Sequence, residues 1–457
     1  MKDLATNFTM RMDVNRAAEH LAAAIRFKTI SHQDQSKLDR REFTALHSYL
    51  RVTYPLLHRM LTREIVNDLS LLYTWKGSNE GAEPILLMAH LDVVPVEQGT
   101  ENDWVHPPFA GVIDKDFVWG RGALDIKNSV IGLMEAVECL LRDGFAPTRT
   151  IYLAFGHDEE VIGMEGAAEI SRTLRERGVR LAYVLDEGGF IRIDGMPGVK
   201  KPVAMVAVAE KGYLTLELVV NEAGGHSGMP PRRTAVGRVA AALCRLERNP
   251  FPARLTCPVR AMFESLGREA APPYRYVYAN IRLFKPVVMS RLSASPQSNA
   301  MIRTTIAPTM LKGSDKENMM PRSVSAVINI RILPDETRES VTARVKNVIN
   351  DPGIIVMERK NSSDPSPVSD VRSPEYIALK NTILDLFPDT VVAPFLMVAA
   401  TDSRHFASIS RQILRFSPSR LSQEDMNLIH GTGERISIKN LEEIMTFYAE
   451  LIRRTAL

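Results

Sequence analysis

Acidic and imidazole side chains follow three apolar segments whose composition predicts buried β-strands. The segments span residues 84–90, 150–156 and 181–185, and the polar residues that end or follow them are His90, Asp92, Glu159, Glu160 and Asp186. In open parallel α/β sheets, ligands bind just beyond the carboxyl ends of the strands. We therefore expect these side chains to meet at one edge of a sheet.

Two further residues extend this set. Asp125 directly precedes a predicted helix, and His430 lies late in the chain, within Leu428-Ile-His-Gly-Thr-Gly-Glu434. Nitrogen and oxygen ligands without thiolate suit zinc, manganese or cobalt. Two imidazoles and three carboxylates are enough for two metal ions that share one carboxylate and polarise one water. The candidate ligands are His90, Asp125, Glu160, Asp186 and His430.

The neighbours of two candidate ligands indicate supporting roles. In a strand, residues i and i+2 point to the same side, so Asp92 can hold one imidazole nitrogen of His90 while the other nitrogen binds metal. Glu159 and Glu160 are adjacent, so one can bind metal while the other serves as a general base. Considered alone, the strand that ends at His90 is also compatible with a core strand whose histidine is hydrogen-bonded.

The composition is that of a core-forming globular protein. Of its residues, 45% are hydrophobic and 24% are charged. The length of 457 residues exceeds what one hydrophobic core usually serves, which predicts two domains. A net charge of +3, from 57 basic and 54 acidic residues, gives no reason to expect a nucleic-acid or membrane partner. Three scattered cysteines and an N-terminus without a signal-peptide pattern favour a reducing, cytoplasmic location.

The order of predicted elements divides the chain into two parts. Strand-then-helix units before residue 209 predict an α/β fold in which helices sandwich a mostly parallel sheet. Residues 210–360 follow a β-α-β-β-α-β order, which predicts an inserted α+β domain with an antiparallel sheet and two helices. A linker rich in Ser, Asp and Pro near residue 361 returns the chain to the first domain. We therefore assign residues 1–209 and 361–457 to a zinc-binding catalytic domain, and residues 210–360 to an inserted lid or dimerisation domain. Segment 247–300 has no clear assignment.

Six sequence blocks carry a resemblance to a known family. The blocks are Met88-Ala-His-Leu-Asp-Val-Val-Pro95, Trp119-Gly-Arg-Gly-Ala-Leu-Asp-Ile-Lys-Asn128, Gly156-His-Asp-Glu-Glu160, Val184-Leu-Asp-Glu-Gly188, Gly224-Gly-His-Ser-Gly228 and Ile429-His-Gly-Thr-Gly433. They are similar, in the same order, to the signature blocks of the M20 metallopeptidases, and most similar to the branch of carboxypeptidase S and PM20D1-like N-acyl amino acid hydrolases. Segments 299–305 and 400–405 match the same branch.

The resemblance implies a division of the ligands between two zinc ions, with Co²⁺ or Mn²⁺ as substitutes. It places His90 and Asp186 on one ion, Glu160 and His430 on the other, and Asp125 between them. It also implies that Glu159 is the general acid and base, that Asp92 holds His90, and that the Asp125–Ile126 peptide bond is cis. This chain has Asp-Ile-Lys-Asn-Ser where many members have Asp-Met-Lys-Gly-Gly, which leaves the ligand intact.

Three residues outside the ligand set take implied roles from the same resemblance. His226 would reach the reacting carbonyl from the partner subunit, which predicts a homodimer, and Asn318 would assist the oxyanion. Arg404 would grip a substrate carboxylate, a task that suits a planar guanidinium. Without the resemblance, Arg404 reads as a surface ion-pair residue and His226 as a turn residue.

Together these features predict a two-zinc amidohydrolase that cleaves an amide bond next to a free carboxylate. The substrate would be an N-acyl amino acid or the last peptide bond of a short peptide, and the reaction could run toward condensation. Two alternatives stay open: a biosynthetic deacylase of the acetylornithine or diaminopimelate type, and a catalytically silent protein that binds peptides or amino acids.

Overall fold

The computed structural model describes residues 12–456. The N-terminal segment, for which the sequence predicts no signal peptide, lies outside these residues. The helices are α1 Val14–Ile25, α2 Arg40–Thr53, α3 Pro55–Met60, α4 Lys127–Arg142, α5 Ala167–Glu176, α6 Ala235–Arg248, α7 Cys257–Glu269, α8 Tyr274–Ala279, α9 Lys285–Leu292, α10 Pro296–Ile302, α11 Arg338–Ile349, α12 Pro374–Leu386, α13 Gln423–Met426 and α14 Ile438–Thr455.

The strands are β1 Thr62–Val66, β2 Ser70–Trp75, β3 Ile85–His90, β4 Val112–Asp114, β5 Phe117–Trp119, β6 Ile151–Gly156, β7 Tyr183–Asp186, β8 Phe190–Arg192, β9 Val203–Glu210, β10 Gly212–Asn221, β11 Gly225–His226, β12 Thr305–Lys312, β13 Met319–Met320, β14 Ser323–Ile332, β15 Ile355–Glu358, β16 Val391–Met397, β17 Ile413–Arg415, β18 Arg420–Leu421 and β19 Arg435–Ser437.

The larger sheet has ten strands in the order β1-β2-β6-β3-β7-β17-β9-β8-β18, with β16 paired to β9. Strands β6, β3, β7 and β17 run parallel at its centre, while β1 and β2 pair antiparallel at one edge. Helices cover both faces, as a parallel sheet requires. The predicted α/β fold class is confirmed.

Strand β3 shows why the sequence folds this way. All six of its residues are buried, and their side chains alternate between the two faces. Ile85, Leu87 and Ala89 pack into a core with α1, α4 and α14, whereas Leu86 and Met88 pack into a second core with α5. The strand is therefore apolar throughout, and its first polar side chain appears at its carboxyl end.

The smaller sheet is antiparallel, with the order β12-β14-β10-β15. Buried and part-exposed residues alternate along β10, and α6 and α11 cover its buried face. The elements follow the predicted β-α-β-β-α-β order, counting β10, α6, β12, β14, α11 and β15. The boundaries at residues 209 and 360 stay predictions.

Helices α7 to α10 occupy the segment that the sequence leaves unassigned. Their apolar side chains, including Phe263, Tyr278 and Val288, form one core with residues of β9 and β16. These helices therefore pack against the larger sheet, although they lie between strands of the smaller one. No helix among residues 12–456 combines the length and the apolar character needed to cross a membrane.

Candidate metal centre and its cavity

Two groups of side chains converge beyond the carboxyl ends of β3, β6 and β7. In the first group, His90 Nε2 lies 3.2 Å from Asp125 Oδ1 and 3.3 Å from Glu187 Oε1. In the second group, His430 Nε2 lies 2.9 Å from Asp125 Oδ2 and 3.2 Å from Glu160 Oε2. The two oxygens of Asp125 thus face different histidines, and the groups share this one carboxylate.

Asp92 orients the first histidine and the loop that carries the glutamates. His90 Nδ1 lies 2.9 Å from the backbone oxygen of Asp92 and 3.3 Å from its carboxylate, so a proton on Nδ1 leaves Nε2 available to the cluster. The carboxylate of Asp92 also accepts backbone N–H groups of Glu159 and Glu160, at 3.1 and 3.2 Å. The expected partnership between Asp92 and His90 is therefore present in the structure.

Glu187, and not Asp186, completes the first group. The carboxylate of Asp186 is 3% exposed and accepts the backbone N–H of Ser403 at 2.9 Å, so it is turned away from His90. Strand β7 ends at Asp186, and successive side chains at a strand end point to opposite sides. In this geometry Asp186 belongs to neither group, and its assignment to a metal stays a prediction.

Glu434 ties the His430 segment to the Asp125 loop, a role that the sequence did not indicate. Its buried carboxylate accepts the backbone N–H groups of Gly122, Leu124 and Asp125, at 2.8 to 3.2 Å, and Arg121 Nη1 at 2.5 Å. The sequence feature that could have indicated this role is its position four residues after His430, directly after Gly431-Thr-Gly433.

Arg121 also donates to the backbone oxygen of His430 at 3.0 Å, which closes this network. Helix α4 begins at Lys127, directly after the expected cis peptide bond between Asp125 and Ile126, which the structure contains.

The charge of the cluster suits bound cations. Burial, together with the Asp125 carboxylate, raises the pKa of Glu187, and burial likewise raises the pKa of Glu160 and of Glu159. Hydrogen bonds to Asp125 and Glu160 raise the pKa of His430 to about 10. One oxygen of Glu160 is buried and has no hydrogen-bond partner among the described residues. A carboxylate-rich, mixed nitrogen and oxygen donor set of this kind fits zinc, and metal ions would satisfy that oxygen.

A cavity of about 490 Å³ opens onto the cluster. Asp125, Glu159, Glu160, Glu187 and His430 form its polar end. Much of the remaining wall is apolar, from Leu124, Ile126, Ile162, Phe190, Phe395, Met397, Val398, Leu421, Met426 and Ile429. The cavity therefore combines a charged group of side chains with an apolar wall.

Two guanidinium groups line the same cavity. Arg404, the predicted carboxylate ligand, donates to the backbone oxygen of Ile162 at 2.7 Å. Arg331, which the sequence did not indicate, stacks 4.7 Å from the ring of Tyr213. Among the described residues no carboxylate lies within ion-pair distance of Arg331, so its charge is available to a ligand. Arg331 comes from β14 of the smaller sheet, far in sequence from the signature blocks.

His226 and Asn318 lie outside this cavity. His226 is exposed in the short β11–β13 pair, and its Nδ1 accepts the backbone N–H of Gly228 at 3.0 Å. It shares a surface groove with Asn318, whose backbone oxygen accepts the N–H of Ser227. A single chain does not bring these two residues to the acidic cluster.

Comparison with known proteins identifies the family. The profile of peptidase family M20/M25/M40 matches residues 86–454. The chain belongs to this family and is a hydrolase of its metal-dependent type.

Two curated relatives indicate the branch of the family to which the chain is similar. A probable carboxypeptidase S-like 2 of Dictyostelium discoideum is 40% identical over 99% of this chain and 87% of its own length. An N-fatty-acyl-amino acid synthase/hydrolase PM20D1 of Xenopus tropicalis is 40% identical over 96% of this chain and 85% of its own length. The resemblance to the carboxypeptidase S and PM20D1-like branch is confirmed.

Solved structures share the fold. An M20 family metallo-carboxypeptidase of Sulfolobus solfataricus superposes with a TM-score of 0.69 at 16% identity, over 96% of this chain and 98% of its own. Human carnosine dipeptidase 1 gives a TM-score of 0.64 at 16% identity, over 97% of each chain.

Proposed function

We propose that this chain is a two-zinc amidohydrolase that cleaves the amide bond of N-acyl amino acids. One observation carries the proposal: the two oxygens of Asp125 face two histidines, each of which has a further carboxylate beside it. His90, Asp125 and Glu187 would hold one ion, and Asp125, Glu160 and His430 the other. Co²⁺ or Mn²⁺ could substitute for Zn²⁺.

When bound, two such ions would supply Lewis acidity toward a water and toward the scissile carbonyl. The chain supplies the proton transfer. Glu159 lines the cavity beside the cluster, and its carboxylate belongs to neither group of candidate ligands among the described residues. It is therefore placed to take a proton from the attacking water and return it to the leaving nitrogen. Asp92 holds the backbone of Glu159 in place throughout.

The cavity favours a substrate with one carboxylate and one apolar group. Arg331, with Arg404 beside it, offers positive charge for the carboxylate, and the apolar wall suits an acyl chain or a large side chain. One relative is named as an N-fatty-acyl-amino acid synthase/hydrolase, which supports N-acyl amino acids as substrates. Another is named as carboxypeptidase S-like, which supports short peptides. Hydrolysis of an N-acyl amino acid is reversible, so condensation is part of the same proposal.

A homodimer would complete the site. His226 and Asn318 lie together in an exposed groove beside the β11–β13 pair, where His226 could reach a substrate carbonyl in a second subunit. Strand β12, at the edge of the smaller sheet, exposes Met310 by 60% and Leu311 by 64%, which is a surface that a second copy could cover. The three free cysteines support a reducing, cytoplasmic setting.

A substrate panel tests the proposal. Zinc-loaded protein is incubated with long-chain and short-chain N-acyl amino acids, dipeptides, acetylornithine and succinyl-diaminopimelate, and the products are measured by mass spectrometry. We expect release of free amino acid from long-chain N-acyl substrates, abolished by EDTA.

Preferred turnover of acetylornithine or succinyl-diaminopimelate would favour a biosynthetic deacylase instead. Saturable binding of these ligands without any turnover would favour a silent binding protein.

A further inference from the structure

The helical segment 270–302 has an unbalanced charge. It contains four basic residues and no acidic one, whereas the whole chain has 57 basic and 54 acidic residues. The basic residues are Arg275, Arg282, Lys285 and Arg291, and all four are exposed. The near-neutral charge of the whole chain therefore conceals a local concentration of positive charge.

Large apolar side chains are exposed among these cations. Tyr276 is 62% exposed, Leu283 is 76% exposed and Val287 is 58% exposed. The segment nonetheless packs against the larger sheet, because Tyr278 and Val288 are buried in the core that it forms with β9 and β16. We call the three exposed apolar residues and the four cations the helical patch.

The cations of the helical patch have no acidic partners among the described residues. Arg275 donates only to backbone oxygens, to that of Ala270 at 3.1 Å and to that of Arg268 at 3.5 Å. Elsewhere on the surface, arginines commonly pair with carboxylates, as Arg420 does with Asp389 at 2.9 Å. Unpaired cations beside exposed apolar side chains present a surface for a partner that is both anionic and apolar.

We propose that the helical patch docks the protein onto an anionic phospholipid surface. Exposed aromatic and aliphatic side chains enter the boundary between headgroups and acyl chains, and flanking Lys and Arg side chains contact the anionic headgroups. A protein partner of ordinary composition supplies carboxylates but no continuous apolar layer beneath them, so charge and hydrophobicity together favour the lipid surface.

The helical patch lies on the outer side of a wall that the cavity shares. Phe190 and Phe395 line the cavity and also pack against the core that contains Tyr278 and Val288. This inference rests on the proposed function for its purpose, since long-chain N-acyl amino acids partition into lipid surfaces. Docking there would hold the protein at the phase that contains the substrate.

Vesicle binding tests the docking directly and needs no substrate. The full chain, loaded with zinc, is sedimented with vesicles of phosphatidylcholine alone or with 30% phosphatidylglycerol, at low and high salt. We expect binding only to the anionic vesicles and weakening by salt, because each cation near such a surface contributes about fivefold in affinity.

Two variants separate the charge from the apolar contact. We expect R282E/K285E to lower binding to anionic vesicles at least tenfold, and L283S/V287S to lower it as well. The matched control is R51E/V52S on α2, where Val52 is 77% exposed, and this variant should bind as the wild type does. All variants should keep the wild-type melting temperature and the wild-type rate on a soluble N-acetyl amino acid.

Equal binding of the wild type to both kinds of vesicle, or undiminished binding by both patch variants, would overturn the docking. A change in oligomeric state of the patch variants in light scattering, without a change in vesicle binding, would show instead that a second copy covers the patch. If no N-acyl amino acid is hydrolysed but anionic vesicles are bound, the proposed function fails and the docking stands.

Discussion

The acidic cluster and the β11–β13 pair differ in how far one chain completes them. In the cluster, side chains from β3, the Asp125 loop, the Glu159 turn and the His430 segment converge to within hydrogen-bond distance. Buried carboxylates of Asp92 and Glu434 fix the loops that carry them. In the β11–β13 pair, His226 is exposed, and its side chain accepts the backbone N–H of Gly228. The cluster is preorganised within one chain, whereas the β11–β13 pair lacks the surface on which it would act.

This difference indicates a division of labour. In the proposed homodimer, ion binding and proton transfer would belong to the larger sheet of one chain, and stabilisation of the developing oxyanion to the β11–β13 pair of the other. Changes in the cluster should then act within a subunit, and changes in the β11–β13 pair should act across subunits.

The largest effect is expected for Glu159→Gln, which removes the proton-transfer group but keeps the shape of the side chain. We expect kcat to fall by about 10³-fold, because general acid–base catalysis contributes roughly 10² to 10⁴. Metal content, measured by inductively coupled plasma mass spectrometry, should stay at the wild-type value.

The control for this variant is Glu169→Gln on the surface of α5, where the carboxylate pairs with Arg172. It should leave kcat unchanged. Undiminished turnover by Glu159→Gln would refute the role of Glu159.

His226→Ala tests the β11–β13 pair. We expect kcat to fall by about 10²-fold or more, as removal of one oxyanion donor does in other enzymes. Mixing His226→Ala with Glu159→Gln subunits after dissociation should restore roughly a quarter of wild-type turnover, since random pairing gives one intact site in half of the dimers. If mixing restores nothing, the two residues do not act across subunits.

Variants of Asp186 and Glu187 test which of these two adjacent residues binds metal, the point that the sequence resolves least. Glu187→Ala should weaken binding of one of the two ions strongly enough to lower the metal content toward one per chain. Asp186→Asn should lower metal affinity by about tenfold, because the Asp186 carboxylate belongs to neither group and accepts the backbone N–H of Ser403. Dialysis against graded chelator, followed by metal analysis, distinguishes them. The reverse order of sensitivity would restore Asp186 as the ligand.

Arg331 and Arg404 give the smallest expected effect. Arg331→Ala should raise KM by about tenfold or more with little change in kcat, since a charge-assisted hydrogen bond contributes roughly 1.5–3 kcal/mol. Arg404→Ala should change KM less, because its guanidinium already donates to the backbone of Ile162. Substrates whose carboxylate is replaced by an amide should show no difference between wild type and Arg331→Ala. Persistence of the difference would place Arg331 outside carboxylate recognition.

Much of the site could be predicted from the sequence because it lies at strand ends. Apolar strands that stop abruptly at His90 or before Glu160 mark the carboxyl edge of a parallel sheet, and that edge is where ligands gather. The Asp186–Glu187 pair could not be resolved in this way, since a shift of one residue exchanges the two faces of a strand.

The remaining parts depend on contacts between distant segments. Arg331 reaches the cavity from the smaller sheet, and Glu434 acts through backbone N–H groups more than 300 residues earlier in the chain. Helices α7 to α10 are short and each begins at or beside a proline. The core that they share with β9 and β16 is visible only in the folded chain. Local patterns carry no information about such pairings.

A zinc titration of the metal-free protein tests the central claim most directly, because it measures stoichiometry and turnover of an N-acyl amino acid in the same samples. We predict two zinc ions per chain, with turnover reaching its maximum only as the second ion binds, and a maximum of one ion when Asp125 is replaced by Ala. Full turnover with a single ion per chain, or turnover that survives complete removal of metal, would contradict a centre built around the two oxygens of Asp125.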